Sequence, residues 1–165
     1  MSTERQFILL TGIPGSGKTL LGNYLKNEHR FDFFETDTNW SEFWGELNLG
    51  IDDFVARWHN RHGDRVCLEW GFDPFAPSYL NYILSFKNQG ASIFWLTCDK
   101  RIALLNYLEK HFSSDPAGRL WEIQVNKIEY VGLPTSDFAI IQTYQKGNPI
   151  PLEELTKKIL SKHGD

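Results

Sequence analysis

Gly12-Ile13-Pro14-Gly15-Ser16-Gly17-Lys18-Thr19 is the stretch on which the reading of this chain turns. An apolar run, Phe7-Ile8-Leu9-Leu10, leads into it, and a helix-like run from Leu20 to His29 leads out. The stretch satisfies G-x-x-x-x-G-K-[ST] in the strand–loop–helix setting that makes the pattern a phosphate cradle. Gly12, Gly15 and Gly17 carry no Cβ, so the loop can take positive φ and turn its N–H groups inward. Those amides, with the positive end of a helix opening near Lys18, form an anion site. On this chemistry Lys18 reaches the β- and γ-phosphates of a nucleotide and Thr19 offers its hydroxyl to Mg2+. The expected nucleotide contacts are therefore Gly12, Ile13, Pro14, Gly15, Ser16, Gly17, Lys18, Thr19 and Leu20.

Beyond the loop, strand-like and helix-like runs alternate. Phe33-Phe34-Glu35-Thr36 reads as a short second strand ending at Asp37, and Trp40–Leu49 and Ile51–Arg61 read as helices broken at Gly50. Val66-Cys67-Leu68 is a third strand ending at Glu69. A helix over Pro77–Asn88 opens with proline and stops before Gly90. Ser92–Thr97 is a continuous apolar run, as expected of a strand covered on both faces. Lys100–Phe112 and Arg119–Tyr130 read as helices on either side of the polar break Ser113–Gly118. Phe138–Thr143 is the fifth strand and Leu152–Lys162 the last helix. Five strands alternating with helices predict an α/β fold, a parallel sheet covered on both faces. Ligands on such a sheet bind at the carboxyl ends of the strands.

The bulk composition bounds the rest. At 165 residues there is room for one sizeable core, and the net charge of −4 provides no basic field to attract nucleic acid or an anionic membrane. No apolar run approaches the roughly 18 residues of a membrane-spanning helix, and the start, MSTERQ, has no apolar signal region. Cys67 and Cys98 stand in apolar segments without metal-ligand spacing and read as small buried hydrophobes of a reducing cytosol.

Asp37, Glu69 and Asp99 each follow a strand, so the topology brings them to the edge that carries the loop. Asp37 is the candidate general base that takes the proton of an attacking hydroxyl; alternatively, Asp37 or Thr38 only caps the helix at Trp40. Glu69 suits a carboxylate supporting Mg2+ through water, or a substrate contact, or a merely solvated strand end. Asp99 reads as the cap of the helix at Lys100. A cation for the charge that builds on the transferring phosphoryl group is sought near the polar break, at Arg119 first, then Lys110, with Arg101 and His111 further candidates. Between Phe31 and Phe54 there are seven acidic residues and no Lys or Arg. With Trp40, Phe43, Trp44, Trp58, Trp70 and Phe72 this stretch reads either as a solvated helical face or as an aromatic-lined acceptor pocket that disfavours polyanions. Arg57, Arg61 and Arg65, with His59 and His62, are candidates to receive an acidic substrate group. Gln145–Pro149 is a candidate for packing against the nucleotide base.

With these residues in hand, the chain resembles the small P-loop kinases: the shikimate and gluconate kinases, the zeta-toxin and chloramphenicol phosphotransferase group, and the kinase domain of phage polynucleotide kinase. The resemblance spans nearly the whole chain, and GIPGSGKT is its specific motif. It implies a three-layer P-loop NTPase fold, a five-stranded parallel sheet in the order 2-3-1-4-5, ATP with Mg2+, and a small helical lid. It also puts the base or metal-side acid on Asp37. Leu68-Glu69-Trp70-Gly71-Phe72 looks like a segment of uncharacterised AAA-like P-loop ATP-binding proteins. Lys110-His111-Phe112, with Gln124 and Ile128-Glu129, is similar to gluconate kinase lids. Where such lids carry an Arg before the His-Phe pair, this chain has Asn106, Tyr107 and Leu108; the R-x-x-x-R lid pair of the polynucleotide kinases is not visible.

The expectation is one domain over residues 1–165 with a lid at about 109–122. It would be a monomeric cytoplasmic kinase that moves the γ-phosphate of ATP to a hydroxyl of a small-molecule acceptor, with Thr19, Asp37 and Glu69 as the metal side. The alternatives are a kinase acting on a nucleic-acid 5′ end or a sugar-nucleotide, and a non-enzymatic nucleotide-binding switch with an exposed aromatic patch at Trp40 or Trp44. The absence of an N-K-x-D guanine motif favours adenine.

Overall fold

Phe7, Ile8, Leu9 and Leu10 are each at most 1% exposed, which is what an apolar run does when both faces of its strand are covered. The computed structural model describes residues 5–72, 76–110 and 137–162. In chain order its elements are β1 (Gln6–Gly12), α1 (Lys18–His29), β2 (Asp32–Glu35), α2 (Trp40–Asn48), α3 (Phe54–His62), β3 (Arg65–Glu69), α4 (Pro77–Asn88), β4 (Ser92–Thr97) and α5 (Lys100–Lys110). After residues 111–136 come β5 (Ala139–Gln142), β6 (Tyr144–Gln145), β7 (Asn148–Pro149) and α6 (Leu152–Lys162). The expected helix Arg119–Tyr130, and all of the expected lid beyond Lys110, lie outside the described residues.

The first five strands form one sheet in the order β2-β3-β1-β4-β5, as the resemblance implied. All four pairings are parallel, with Leu9 opposite Leu68 on one side and Ile93 on the other. β1 is the centre, and the chain leaves it in both directions: β3 lies on one side and β4 on the other. The phosphate loop therefore opens at the point where strand order switches, where such sheets bind ligands.

Strand alternation divides the core in two. Phe7 and Leu9 face one cluster, packed beneath α2, α3, α4 and α5 with Phe43, Phe54, Trp58, Ile83 and Phe86. Ile8 and Leu10 face the other, beneath α1 and α6 with Leu21, Leu25, Leu155 and Ile159. Burying each such side chain contributes about 1.5–3 kcal/mol before chain entropy is set against it. Cys67 and Cys98 are buried and free, as expected; burial pushes the Cys67 thiol well up, with the charge of Glu69 adding to it.

Two boundaries differ from the sequence reading for tertiary reasons. The helix expected from Ile51 begins at Phe54, and no side chain of its own caps it. Gln89, just after α4, does so from a distance: its Oε1 accepts from the Val55 N–H at 2.9 Å, and its Nε2 donates to the Ile51 carbonyl at 2.7 Å. The segment after β5 is a β-hairpin, β6 against β7, turning at Lys146 and Gly147 with φ of 51° and 80°. Positive φ at both central residues is the geometry that matches strand twist in two-residue hairpins.

Candidate active site

The loop is shaped by backbone contacts that only glycine permits. A Cβ on Gly12 would overlap the Leu96 backbone, and one on Gly15 would overlap the Ala103 carbonyl of α5. Gly12, Gly15 and Gly17 have φ of 131°, 80° and 92°, all in the range that side chains disfavour. Gly17 is the N-cap of α1, and no side chain caps that helix. Its leading amides and the positive end of its dipole are thus directed at the loop, an arrangement suited to phosphate.

Lys18 is 8% exposed, and its Nζ donates to the carbonyls of Gly12 at 3.2 Å and Ile13 at 3.0 Å. The ammonium is therefore held across the loop. Ser16 is fully buried and its hydroxyl has no hydrogen-bond partner among the described residues. An orphaned buried hydroxyl in the middle of a glycine loop is a group that an anion would satisfy.

Thr19 and Glu69, fifty residues apart in sequence, meet: Thr19 Oγ1 donates to Glu69 Oε2 at 2.9 Å. Glu69 is fixed by its strand, since its carbonyl accepts from Thr36 N–H at 2.9 Å and the next amide, Trp70, donates to the Leu10 carbonyl at 3.0 Å. A hydroxyl has one proton and two lone pairs. With the proton directed at Glu69, the hydroxyl oxygen can offer a lone pair to a cation. Hard oxygen donors of this kind suit Mg2+, which takes few protein ligands and completes its shell with phosphate and water. The residues present thus fit both a triphosphate and Mg2+.

Asp37 is exposed just past β2, two residues beyond Glu35, whose Cα lies opposite Glu69 in the sheet. The capping alternative for Asp37 and Thr38 does not hold: Asn39 is the N-cap of α2, and Thr38 Oγ1 and Asn39 Nδ2 turn back to the Glu35 carbonyl at 3.2 and 3.0 Å. Asp99 does cap α5, accepting from Arg101 N–H at 2.8 Å. Leu20 is exposed on the first turn of α1. Lys110 ends α5, with its side chain outside the description; Arg119 and His111 are outside it altogether.

The basic cluster does not wait for an acidic substrate. Arg57 binds Glu46 Oε2 at 3.2 Å and the Glu46 carbonyl at 2.8 Å, and Arg61 binds Glu46 Oε1 at 2.8 Å. His62 Nε2 lies 2.9 Å from Glu42, and His59 Nδ1 lies 2.8 Å from the Gly63 carbonyl. Arg65 donates to the His29 carbonyl at 2.7 Å and lies over the Phe31 ring at 4.3 Å. Arg57 and Arg61 clamp α2 to α3, and Arg65 ties β3 to α1; part of the acidic stretch is the counter-charge of the first two. The aromatic residues form mostly core: Phe43, Trp58, Trp70 and Phe72 are buried. Trp40 alone of the set is half exposed, at 53%, tilted 60° against Trp44 at 5.1 Å, and Trp44 in turn meets Trp70 edge-on at 6.1 Å. A line of rings thus runs from the surface to the residue after Glu69.

Asn106 was noted in the sequence only as a departure from a lid pattern. In the fold its Nδ2 donates to the Gly15 carbonyl at 3.0 Å and to the Tyr144 hydroxyl at 3.3 Å. Its spacing from Ala103, one turn back on α5 and packed on the same glycine, is the one trace of this role in the sequence. A cleft of about 300 Å3, lined by Lys87, Asp137 and Lys162 among others, opens at the amino ends of β4 and β5, the edge opposite the loop.

No family model matches the chain, and no curated protein matches it by sequence. Solved structures do match. Shikimate kinase from Acinetobacter baumannii, in complex with shikimate, is similar with a TM-score of 0.61 at 18% identity, over 97% of this chain and 93% of that one. Shikimate kinase from Bacteroides thetaiotaomicron gives 0.63 at 14% identity, over 97% and 99%. A gluconokinase from Sinorhizobium meliloti 1021 gives 0.57 at 18% identity, over 97% and 92%. At these identities the likeness establishes architecture, and strand order, loop and coverage agree: the chain has the fold of the small P-loop kinases of the shikimate and gluconate kinase-like group.

Proposed function

We propose that this chain is an ATP-dependent phosphotransferase that moves the γ-phosphate to a hydroxyl of a small-molecule acceptor. The observation that carries the reading is the hydrogen bond from Thr19 to Glu69 beneath a loop whose lysine is already held in place. It joins the phosphate cradle to a carboxylate on the neighbouring strand, as metal-assisted phosphoryl transfer requires. The similarity to solved kinases supports it.

In this mechanism the loop amides and Lys18 hold the triphosphate and draw off charge from its terminal oxygens. Glu69 orients the Thr19 hydroxyl, and Thr19, with Glu69 and Asp37 on the same side, would hold Mg2+. When bound, Mg2+ would neutralise negative charge on the triphosphate. Asp37 takes the proton of the acceptor hydroxyl as its oxygen bonds to the γ-phosphorus and the bond to the β-phosphate oxygen breaks, leaving ADP and a phosphorylated acceptor. Lys110 or Arg119 provides the further cation. The line of rings from Trp40 to Trp70 walls the acceptor side.

The test is a screen of small hydroxylated metabolites for ATP-dependent phosphorylation, read by mass spectrometry. With an acceptor found, Asp37→Ala is expected to lower transfer by about 10²–10⁴-fold while ATP affinity stays within a few-fold; surviving transfer removes Asp37 as the base. The half-exposed Trp40 favours a second reading, a nucleotide-dependent switch that docks a partner. That reading predicts ATP binding without turnover against any acceptor.

A further inference from the structure

We infer that Asn106 is a positioning residue for nucleotide binding: it clamps the Gly15–Ser16 peptide of the phosphate loop and ties it to α5 and to the β6–β7 hairpin. The inference rests on the reading of that loop as a triphosphate site.

A glycine loop is useful to an anion only when its peptide planes are held, because each plane carries one donor and one acceptor on opposite sides. The Gly15–Ser16 plane is held at both ends. Its N–H, on Ser16, donates to the Ile13 carbonyl at 3.2 Å. Its C=O, on Gly15, accepts from Asn106 Nδ2 at 3.0 Å. Gly15 precedes Gly17, the N-cap whose carbonyl takes the first helical hydrogen bond, from Leu21 N–H at 3.0 Å, so the Gly15 carbonyl lies outside the pattern of α1 and its partner comes from elsewhere in the fold. It comes from ninety-one residues away, and the approach is close: a Cβ on Gly15 would overlap the Ala103 carbonyl, one turn before Asn106. The same amide nitrogen also donates to the Tyr144 hydroxyl at 3.3 Å, in the first strand of the hairpin. An amide nitrogen has two protons, one for each contact. The loop is thus pinned from the side away from its amides, by groups that need not touch the nucleotide.

Replacing a donor opposite a part-buried carbonyl leaves the carbonyl unsatisfied and the plane free to turn. Asn106→Asp is the sharpest replacement. It keeps the shape, but an ionised carboxylate presents only acceptors to the Gly15 carbonyl. Titration of each protein with a non-hydrolysable Mg-ATP analogue should show affinity falling about tenfold or more in Asn106→Asp. The deficit relative to the unaltered protein should shrink as pH falls and the carboxyl regains a proton to donate. Tyr144→Phe removes only the second contact and should lower affinity about two- to threefold. With an acceptor in hand, the loss should appear in the KM for ATP and leave the KM for the acceptor within twofold.

Failure of the unaltered protein to bind the analogue overturns the triphosphate reading, and this inference with it. Binding by the unaltered protein with affinities within twofold in both Asn106→Asp and Asn106→Ala overturns the clamp alone. If Asn106→Asp does not fold, as judged by its melting transition without nucleotide, Asn106→Ala and Tyr144→Phe decide by the same criterion. A deficit in Asn106→Asp that does not change with pH relative to the unaltered protein also overturns it, since a general weakening of α5 would not depend on that proton.

Discussion

The two faces of the sheet are built from different materials. On one, α1 and α6, of 12 and 11 residues, cover an aliphatic cluster of Leu21, Leu25, Leu155 and Ile159. On the other, α2 and α3 have nine residues each and share the face with α4 and α5; the rings that α2 and α3 turn inward, Phe43, Phe54 and Trp58, meet Phe86 of α4, with Phe54 stacked on Phe86 at 4.6 Å and on Trp58 at 5.1 Å. A helix of less than three turns offers few inward side chains, so each must cover more area; rings bury about 150–250 Å2 apiece. The short helices also need polar fastening, which Glu46 supplies to Arg57 and Arg61. The aliphatic face seats the helix that ends the phosphate loop. The aromatic face extends past β3, through Trp70, to the expected acceptor side. The comparison teaches that the helix leaving the loop stands on a mainly aliphatic layer, with Phe31 and Phe94 in it, whereas the expected acceptor side is continuous with a more aromatic core.

That contrast can be broken experimentally. The largest expected effect on stability is from Trp58→Ala, which empties the centre of the aromatic face and should cost about 3–5 kcal/mol in denaturant unfolding. Leu25→Ala on the aliphatic face should cost about 2–4 kcal/mol, with a greater loss of ATP affinity per unit of destabilisation because α1 carries the loop. A reversed pattern would mean that the faces do not divide the site as described. Lys18→Ala should lower kcat/KM by about 10²–10³-fold, as removal of a charge-stabilising donor does, with an unchanged melting temperature. Unchanged turnover in that variant would remove the phosphotransfer reading. Glu69→Gln should keep the fold and lower activity about 10–100-fold, shown as a higher Mg2+ requirement, because an outer carboxylate that orients a metal ligand is lost. Arg57→Ala sharpens the comparison further. It leaves Glu46 with Arg61 alone and should cost about 1–3 kcal/mol, with ATP affinity unaffected since the pair lies on the aromatic face. The smallest effect is from Trp40→Ala, within about 0.5 kcal/mol of the parent in stability, with the change confined to the KM for the acceptor.

Much of the site's framework was legible in the residues. The loop from Gly12 to Thr19, the bounds of α4, β4 and the last helix, and the placement of Asp37, Glu69 and Asp99 at or just past the carboxyl ends of strands all follow from local signals. What was misread lay in side chains whose partners are distant. Arg57 and Arg61 resemble an open anion site in the sequence and are fastened to Glu46 in the fold, eleven and fifteen residues away on another helix. The start of α3 was misplaced because its cap, Gln89, comes from beyond α4.

The chain alone determined that a glycine loop would turn between the first strand and the first helix and that acids would stand at one sheet edge, because strand alternation, helix period and glycine backbone freedom act within a few residues. Only tertiary structure decided that Thr19 would give its proton to Glu69, that Asn106 would hold the Gly15 carbonyl, and that the basic cluster would be neutralised. Those contacts join residues far apart in sequence, and which of many possible partners a polar group takes is set by how the helices pack on the sheet.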